Sequence, residues 1–231
     1  MYFQRTINYY YSIMLIKFKQ SPLMKKLVIA LFALPILALL SLSKPNDSEF
    51  KIGDAAPRTK TKMVSVDDKK YTLEDLRKEE GLVVVFSCNT CPFVIGSSSF
   101  KGWEGTYNQL STAANQQSMG FVLVNANEAK RKNDDSLDEM KKRAKDKEYK
   151  MPYLVDKKSS LANAFGAKTT PHVFVLDKNM KLVYAGSIDN TWDSKRTDDI
   201  PYLENVLKEM AADENITTNM TPPRGCSIKR K

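Results

Sequence analysis

Residues 81–94 read GLVVVFSCNTCPFV, and the interpretation of the whole chain starts from this stretch. A short valine-rich run that begins at a glycine predicts a strand buried on both faces. Pro92 directly follows Cys91, and proline is typical of the first helical position, where its missing N–H is not needed. Cys88 and Cys91 should therefore lie where a buried strand meets a helix N-terminus. Because the positive end of a helix favours thiolate over thiol, the pattern predicts a redox-active pair.

Two other interpretations of the CxxC spacing are a structural role and half of a metal site. A zinc site would need two further ligands, and Cys226 and His172 are the only other cysteine and histidine in the sequence. Because no cysteine or histidine beyond these two is present to complete the site, a structural zinc site is disfavoured. A CxxC beside a βαβ pattern favours redox chemistry instead.

The 231 residues carry a net charge of +9, which is unevenly distributed. Residues 1–43 contain five bases and no acid, whereas acids and bases are interspersed in the remainder. That balance gives little support for nucleic-acid binding. Charge runs such as KRKNDD, residues 130–135, are interpreted as solvated loops and helix faces.

Residues 24–43 resemble a targeting segment, with two lysines, an apolar core and then Ser41-Leu42-Ser43. This order is typical of a secretory signal and predicts cleavage near Ser43 and an extracytoplasmic (periplasmic or secreted) protein. An uncleaved membrane anchor is the alternative, although residues 27–42 are shorter than the roughly 20 residues that cross a bilayer. Residues 1–23 fit neither interpretation and are consistent with an over-long start. The predicted organisation is signal peptide or anchor at 1–43, a folded domain at 44–214 and a C-terminal tail at 215–231.

Along the domain, the pattern predicts alternating strands and helices that end in a hairpin and a closing helix. Upstream of the central strand we predict two short strands within 62–71 and a helix at Thr72, with Asp75 completing a capping box. The other predicted elements are an irregular helix between Pro92 and Gln116, a strand at 120–127, helices at 136–147 and 200–212, and a hairpin at 173–186. This order predicts an α/β fold with a central mixed β-sheet flanked by helices and an N-terminal β-hairpin extension.

Five segments in this order carry a family resemblance. They are GDAAP at 53–57, FSCNTCPFV at 86–94, KTTPHVFVLD at 168–177, KLVYAGSID at 181–189 and GCSIK at 225–229. Together they resemble the thioredoxin-like superfamily, and more narrowly its peroxiredoxin-like and redoxin branch, over residues 50–231. The resemblance implies a thioredoxin-like fold and chemistry at the cysteines.

The resemblance also assigns roles to the two thiols. Cys91 stands at the position of the superfamily's attacking cysteine, and Cys88 stands where peroxidases of this branch carry threonine or serine. Val84 replaces the proline that those peroxidases carry further upstream. Cys91 is therefore the expected thiolate and Cys88 the expected resolving thiol, with the reverse assignment left open. Since Asn89 and Thr90 are neutral, we expect the helix end and nearby N–H groups to lower the Cys91 pKa moderately, in a pair that is not a strong oxidant.

Three further positions have candidate roles. Thr170-Pro171 resembles the cis-proline loop that faces the CxxC in this fold and can pair with an extended substrate strand. His172 is either a packed side chain or, if it lies near Cys91, a ligand in a copper site with both thiols. Cys226 leaves an odd cysteine, which is either a third exchange partner that folds back to the site or an inert buried thiol.

The sequence thus predicts an extracytoplasmic thiol–disulfide oxidoreductase that uses Cys88 and Cys91 on protein disulfides, with no cofactor and no metal. Its expected partners are protein thiol or disulfide substrates and an electron donor. The membrane is a partner only if the N-terminal segment is uncleaved. The first alternative is a thiol-dependent peroxidase, and the second is a copper-binding or non-enzymatic redox module.

Overall fold

The computed structural model of this protein describes residues 50–231. Its strands are β1 (Met63–Val64), β2 (Lys70–Tyr71), β3 (Gly81–Ser87), β4 (Met119–Asn125), β5 (Tyr153–Val155), β6 (Thr169–Thr170), β7 (His172–Asp177), β8 (Leu182–Gly186) and β9 (Cys226–Ser227). Its α-helices are α1 (Leu73–Leu76), α2 (Pro92–Ile95), α3 (Tyr107–Gln116), α4 (Leu137–Asp146), α5 (Ser160–Ala164) and α6 (Tyr202–Ala211). Short 3₁₀ turns lie at Glu104–Thr106, Glu128–Lys130 and Lys157–Ser159.

Five strands form one mixed sheet in the order β5-β4-β3-β7-β8. β3 pairs in parallel with β4, and β4 pairs in parallel with β5. β7 runs antiparallel to both β3 and β8. Every residue of β3 is buried, as expected for an apolar run at the centre of a sheet. The predicted α/β class and central mixed sheet are therefore confirmed.

Side-chain alternation along the strands divides the core into two faces. The first face packs against α3 and α6 and includes Val83, Val85, Cys88, Cys91, Val173 and Val175. The second face includes Leu82, Val84, Phe86, Phe165, Phe174 and Leu176. The two thiols and the aromatic cluster around Phe174 therefore lie on opposite faces of the sheet.

Residues 92–116 form an interrupted helix, as the glycines in this stretch predicted. α2 is a single turn with Pro92 at its start, and it ends at Gly96, whose φ of 95° favours glycine. The loop then folds back, because the N–H of Trp103 donates to the carbonyl of Phe93 at 3.1 Å. α3 begins only at Tyr107.

Two local predictions upstream of the sheet are also confirmed. β1 and β2 pair antiparallel and form the N-terminal hairpin. At the start of α1, Thr72 Oγ1 accepts from the N–H of Asp75 at 3.1 Å, and Asp75 Oδ2 accepts from the N–H of Thr72 at 2.8 Å. This reciprocal pair is a capping box.

The predicted signal peptide or anchor at 1–43 lies outside the described residues. It therefore stays a prediction, together with the domain boundary at residue 44. Among residues 50–231, no helix has both the length and the apolar character needed to cross a membrane.

Candidate active site

Cys88 and Cys91 occupy the junction that the sequence predicted for them. Cys88 directly follows β3, and Cys91 is the N-cap residue of α2. Both side chains are buried, with 2% and 3% of their surface exposed. The N–H of Cys91 donates to Cys88 Sγ at 3.3 Å, and both cysteines are free thiols. The pair is thus held in one short turn and is almost out of reach of solvent.

Thr170 contacts both thiols from the facing loop. Its hydroxyl lies 3.1 Å from Cys88 Sγ, and its carbonyl accepts from the Cys91 thiol at 3.0 Å. The Thr170–Pro171 bond is cis, as the resemblance implied. The structure therefore brings four of the predicted site residues together: Cys88, Cys91, Thr170 and Pro171.

The two thiols differ in acidity because they interact with each other. The hydrogen bond with Cys88 is the main cause that lowers the pKa of Cys91, and the N–H groups of Cys226 and Phe93 lower it further. Burial and the neighbouring Cys226 thiol oppose this shift. The same interaction with Cys91, followed by burial, raises the pKa of Cys88 well above its usual range, and the Thr170 hydroxyl opposes that shift. Cys91 is therefore the more acidic thiol of the pair.

This cause corrects one expectation about the Cys91 pKa. The helix end and nearby N–H groups were expected to set this pKa, and the N–H of Phe93, in the first turn of α2, does lower it, but it is not the largest cause. The nearest strong influence is instead the Cys88 thiol. The direction of the shift agrees with the expected assignment of Cys91 as the thiolate.

A buried carboxylate, which the sequence interpretation missed, holds the turn between the cysteines. Asp135 is fully buried, and its Oδ1 accepts from the N–H of Asn89 at 2.8 Å and from Asn125 Nδ2 at 2.7 Å. Its Oδ2 accepts from Asn127 Nδ2 at 3.0 Å. Tyr153 completes the network, since its hydroxyl donates to Asn89 Oδ1 at 3.1 Å. Asp135 thus fixes the backbone of the CxxC spacer.

The interpretation of residues 130–135 as a solvated charge run is therefore wrong at Asp135. The sequence feature that could have predicted a buried Asp135 is the pair Asn125 and Asn127, two amide side chains where β4 ends. Ser87 pairs with Asn125 across the parallel β3–β4 ladder, so these amides lie at the same sheet edge as Cys88. Buried amides at that edge need a partner, and an acidic residue that follows soon after in the chain can supply it.

His172 does not join the thiols. It pairs with Phe86 across the β3–β7 ladder and packs on Phe174, with ring centroids 4.4 Å apart, on the face opposite the cysteines. Its Nδ1 accepts from the N–H of Lys168 at 3.2 Å. The copper site that would combine His172 with both thiols is therefore wrong, because strand alternation directs this side chain to the other face.

Burial, with a smaller contribution from the Lys168 charge, lowers the pKa of His172 to about 3. The unfolded chain binds this proton near pH 6.5 while the folded chain does not, so the free energy of unfolding should fall as the pH drops from 6.5 towards 3. The loss is limited to about 1.4 kcal/mol per pH unit. Urea titrations at pH 7, 6 and 5 will measure it, with His172→Gln as the control. Because His172 is the only histidine, an unchanged pH slope in that variant would contradict the assignment.

Cys226 folds back to the candidate active site. β9 pairs antiparallel with β6, so that Cys226 stands opposite Thr170. The N–H of Cys226 donates to Cys91 Sγ at 3.3 Å, and the residue is half-buried. The position required for a third exchange partner is therefore observed.

Many solved structures resemble this chain. An uncharacterised conserved protein from Geobacillus kaustophilus is 29% identical at a TM-score of 0.70, covering 80% of this chain and 94% of that one. A hypothetical protein from Sinorhizobium meliloti 1021 is 25% identical at a TM-score of 0.69, covering 80% and 97%. PrxQ from Xylella fastidiosa, solved as a cysteine-to-serine mutant, is 19% identical at a TM-score of 0.51, covering 72% and 98%, which supports the fold alone. No curated protein sequence matches this chain.

The family comparison covers most of the chain. The redoxin family model matches residues 51–207, which include the whole CxxC region and the Thr170–Pro171 loop. The match supports a redox enzyme in general terms. The chain belongs to the redoxin family.

Proposed function

We propose that this redoxin catalyses thiol–disulfide exchange with protein disulfides, with Cys91 as the attacking thiolate of the pair and Cys88 as the resolving thiol. The observation that carries the proposal is the contact between the two cysteines, in which the Cys91 N–H donates to Cys88 Sγ at 3.3 Å. This contact places the resolving sulfur against the backbone of the residue that carries the attacking one. An exchanger needs only these two thiols and a surface on which a disulfide can dock.

The chemistry balances within the pair. The Cys91 thiolate attacks one sulfur of the incoming disulfide, forms a mixed disulfide and releases the other sulfur as a thiolate. Once Cys91 is in a disulfide, the interaction that holds the proton on Cys88 is removed, so Cys88 can deprotonate. Cys88 then attacks Cys91 Sγ and releases the remaining substrate thiolate. Two electrons have passed from the pair to the substrate, and a Cys88–Cys91 disulfide remains.

The surface beside Cys91 suits a peptide substrate. Phe93 is half-buried and Ile95 is 39% exposed, and both belong to α2, which begins directly after Cys91. Arg224 lies over the Phe93 ring at 5.3 Å and over the Trp192 ring at 4.6 Å. An apolar surface with one cation is suited to apolar and acidic peptide segments.

An insulin-reduction assay driven by dithiothreitol tests the proposal. We expect the wild-type protein to accelerate insulin reduction, and the Cys88→Ser, Cys91→Ser double variant to leave the uncatalysed rate unchanged. Hydrogen peroxide consumption is measured in parallel. Efficient peroxide turnover without insulin turnover would replace this proposal with the peroxidase alternative.

We also propose that the protein acts outside the cytoplasm and receives electrons from a separate thiol protein. The support is the basic and apolar segment at 24–43 and the dithiol chemistry, which needs a donor or acceptor after each turnover. N-terminal sequencing of the protein recovered from its native host should give a start close to Lys44. An intact Met24 on the mature protein would favour an anchor instead.

A further inference from the structure

The three cysteines differ in their exposure to solvent. Cys88 and Cys91 are 2% and 3% exposed, whereas Cys226 is half-buried. All three cysteines of the sequence lie in the described part of the chain. Cys226 is therefore the most exposed of the three cysteines.

The backbone places Cys226 directly against the pair. Thr170, which contacts both buried thiols, stands opposite Cys226 in the β6–β9 ladder. The Cys226 N–H donates to Cys91 Sγ at 3.3 Å and lowers the Cys91 pKa, whereas the Cys226 thiol raises that pKa. Cys226 therefore neighbours Cys91 as closely as Cys88 does, with the same type of N–H···S contact.

The tail is held on both sides of Cys226. Before it, the N–H of Arg224 donates to Ser187 Oγ at 3.0 Å. After it, Ile228 is buried, and its N–H donates to the Lys168 carbonyl at 3.1 Å. The N–H of Lys229 donates to Asn127 Oδ1 at 2.9 Å, which links the tail to an amide of the Asp135 network. The thiol is thus presented at the site by a built strand.

Gly225 allows this close approach. A Cβ at residue 225 would overlap with the carbonyl oxygen of Thr170, and it would also crowd the Thr170 carbonyl carbon at 2.6 Å. β9 can therefore reach β6 only with glycine at this position. Gly225 is therefore required for the contact between the Cys226 strand and Thr170.

We propose that Cys226 is the thiol through which the buried pair exchanges with protein disulfides. This inference rests on the proposed exchange at Cys88 and Cys91 and adds the entry step. The disulfide that Cys91 attacks is then the mixed disulfide carried by Cys226.

The exchange through Cys226 has three steps. The Cys226 thiolate attacks the protein disulfide, one substrate sulfur leaves and takes the Cys226 proton, and a mixed disulfide forms. The Cys91 thiolate attacks Cys226 Sγ, releases the second substrate sulfur as a thiolate and forms a Cys91–Cys226 disulfide. Cys88 gives its proton to that thiolate and attacks Cys91 Sγ, which releases Cys226 as a thiolate. The protein disulfide is reduced to two thiols, and the Cys88–Cys91 disulfide is formed.

The Cys88→Ser variant tests the intermediate, because its last step is blocked. One equivalent of 5,5′-dithiobis(2-nitrobenzoate) is added to the reduced variant, and intact mass and peptide mapping follow. We expect a monomeric chain that retains no thionitrobenzoate and contains a Cys91–Cys226 disulfide. A stable thionitrobenzoate adduct on either cysteine, with the other thiol free, would overturn the inference. Oxidised wild type serves as the reference, because failure to form its Cys88–Cys91 disulfide would refute the proposed function instead.

A kinetic comparison tests the entry step. We expect Cys226→Ser to slow insulin reduction by about tenfold or more, while the Cys88–Cys91 disulfide still forms with small disulfides. Ser227→Ala is the matched control, since it changes the neighbouring exposed residue of β9 and keeps the thiol. An insulin rate for Cys226→Ser equal to that of Ser227→Ala would show that the tail only covers the pair and would overturn the inference.

Discussion

Replacing Cys91 with serine is expected to abolish disulfide exchange, with a loss on the order of a thousandfold or more in insulin reduction. The reason is that a serine hydroxyl is neither ionised at neutral pH nor able to form a disulfide. Formation of the Cys88–Cys91 disulfide requires Cys91 Sγ, which also receives the Cys226 N–H and contacts the Thr170 carbonyl. The rate at which iodoacetamide alkylates the protein provides an independent measurement. This rate should fall in Cys91→Ser together with the activity.

Cys88→Ser is the matched variant for this prediction. The hydroxyl can keep the contact with the Cys91 N–H, so Cys91 should still attack a disulfide and then remain trapped in the intermediate. The Cys88→Ser variant should therefore complete a single round of disulfide attack and show no further turnover. If no disulfide formed at Cys91 in Cys88→Ser while a mixed disulfide formed at Cys88 in Cys91→Ser, the reverse assignment of the two thiols would be correct.

Replacing Asp135 with alanine is expected to lower the free energy of unfolding by about 3 kcal/mol or more, because buried donors are left without an acceptor. Three N–H groups lose their partner, namely the backbone of Asn89 and the side-chain amides of Asn125 and Asn127. Because Asn89 is the spacer between the cysteines, the turn should also loosen. Urea unfolding measures the stability, and the Cys91 thiol pKa measures the effect on the turn.

Asp134→Ala is the control for the Asp135 prediction. Asp134 precedes Asp135 in the chain, but its carboxylate is about half exposed, and its ionic partner among residues 50–231 is Lys130 at 3.4 Å. Exposed pairs of this kind contribute little, typically below about 1 kcal/mol. Equal effects of the two variants would contradict the role assigned to Asp135.

Much of the fold was predictable because local patterns and tertiary contacts agree. The apolar run at 82–86 is the central strand, and Thr72 and Asp75 form the capping box that their spacing indicated. The glycines after Pro92 also interrupt the helix as expected. In each case the deciding interactions lie within a few residues, so the sequence alone contains them.

The sequence by itself therefore determined the central strand and the turn that carries Cys88 and Cys91. Only the tertiary structure decided what surrounds that turn. The sequence pattern places Asp135 in a solvated charge run, but the pairing of β4 with β3 brings the amides of Asn125 and Asn127 to this carboxylate and buries it. The sequence also allows His172 to lie beside the thiols, but strand alternation directs its side chain to the opposite face of the sheet. The position of Cys226 depends on a pairing with Thr170 across 56 residues of chain. Such contacts depend on which strands become neighbours, and this information is absent from local residue patterns.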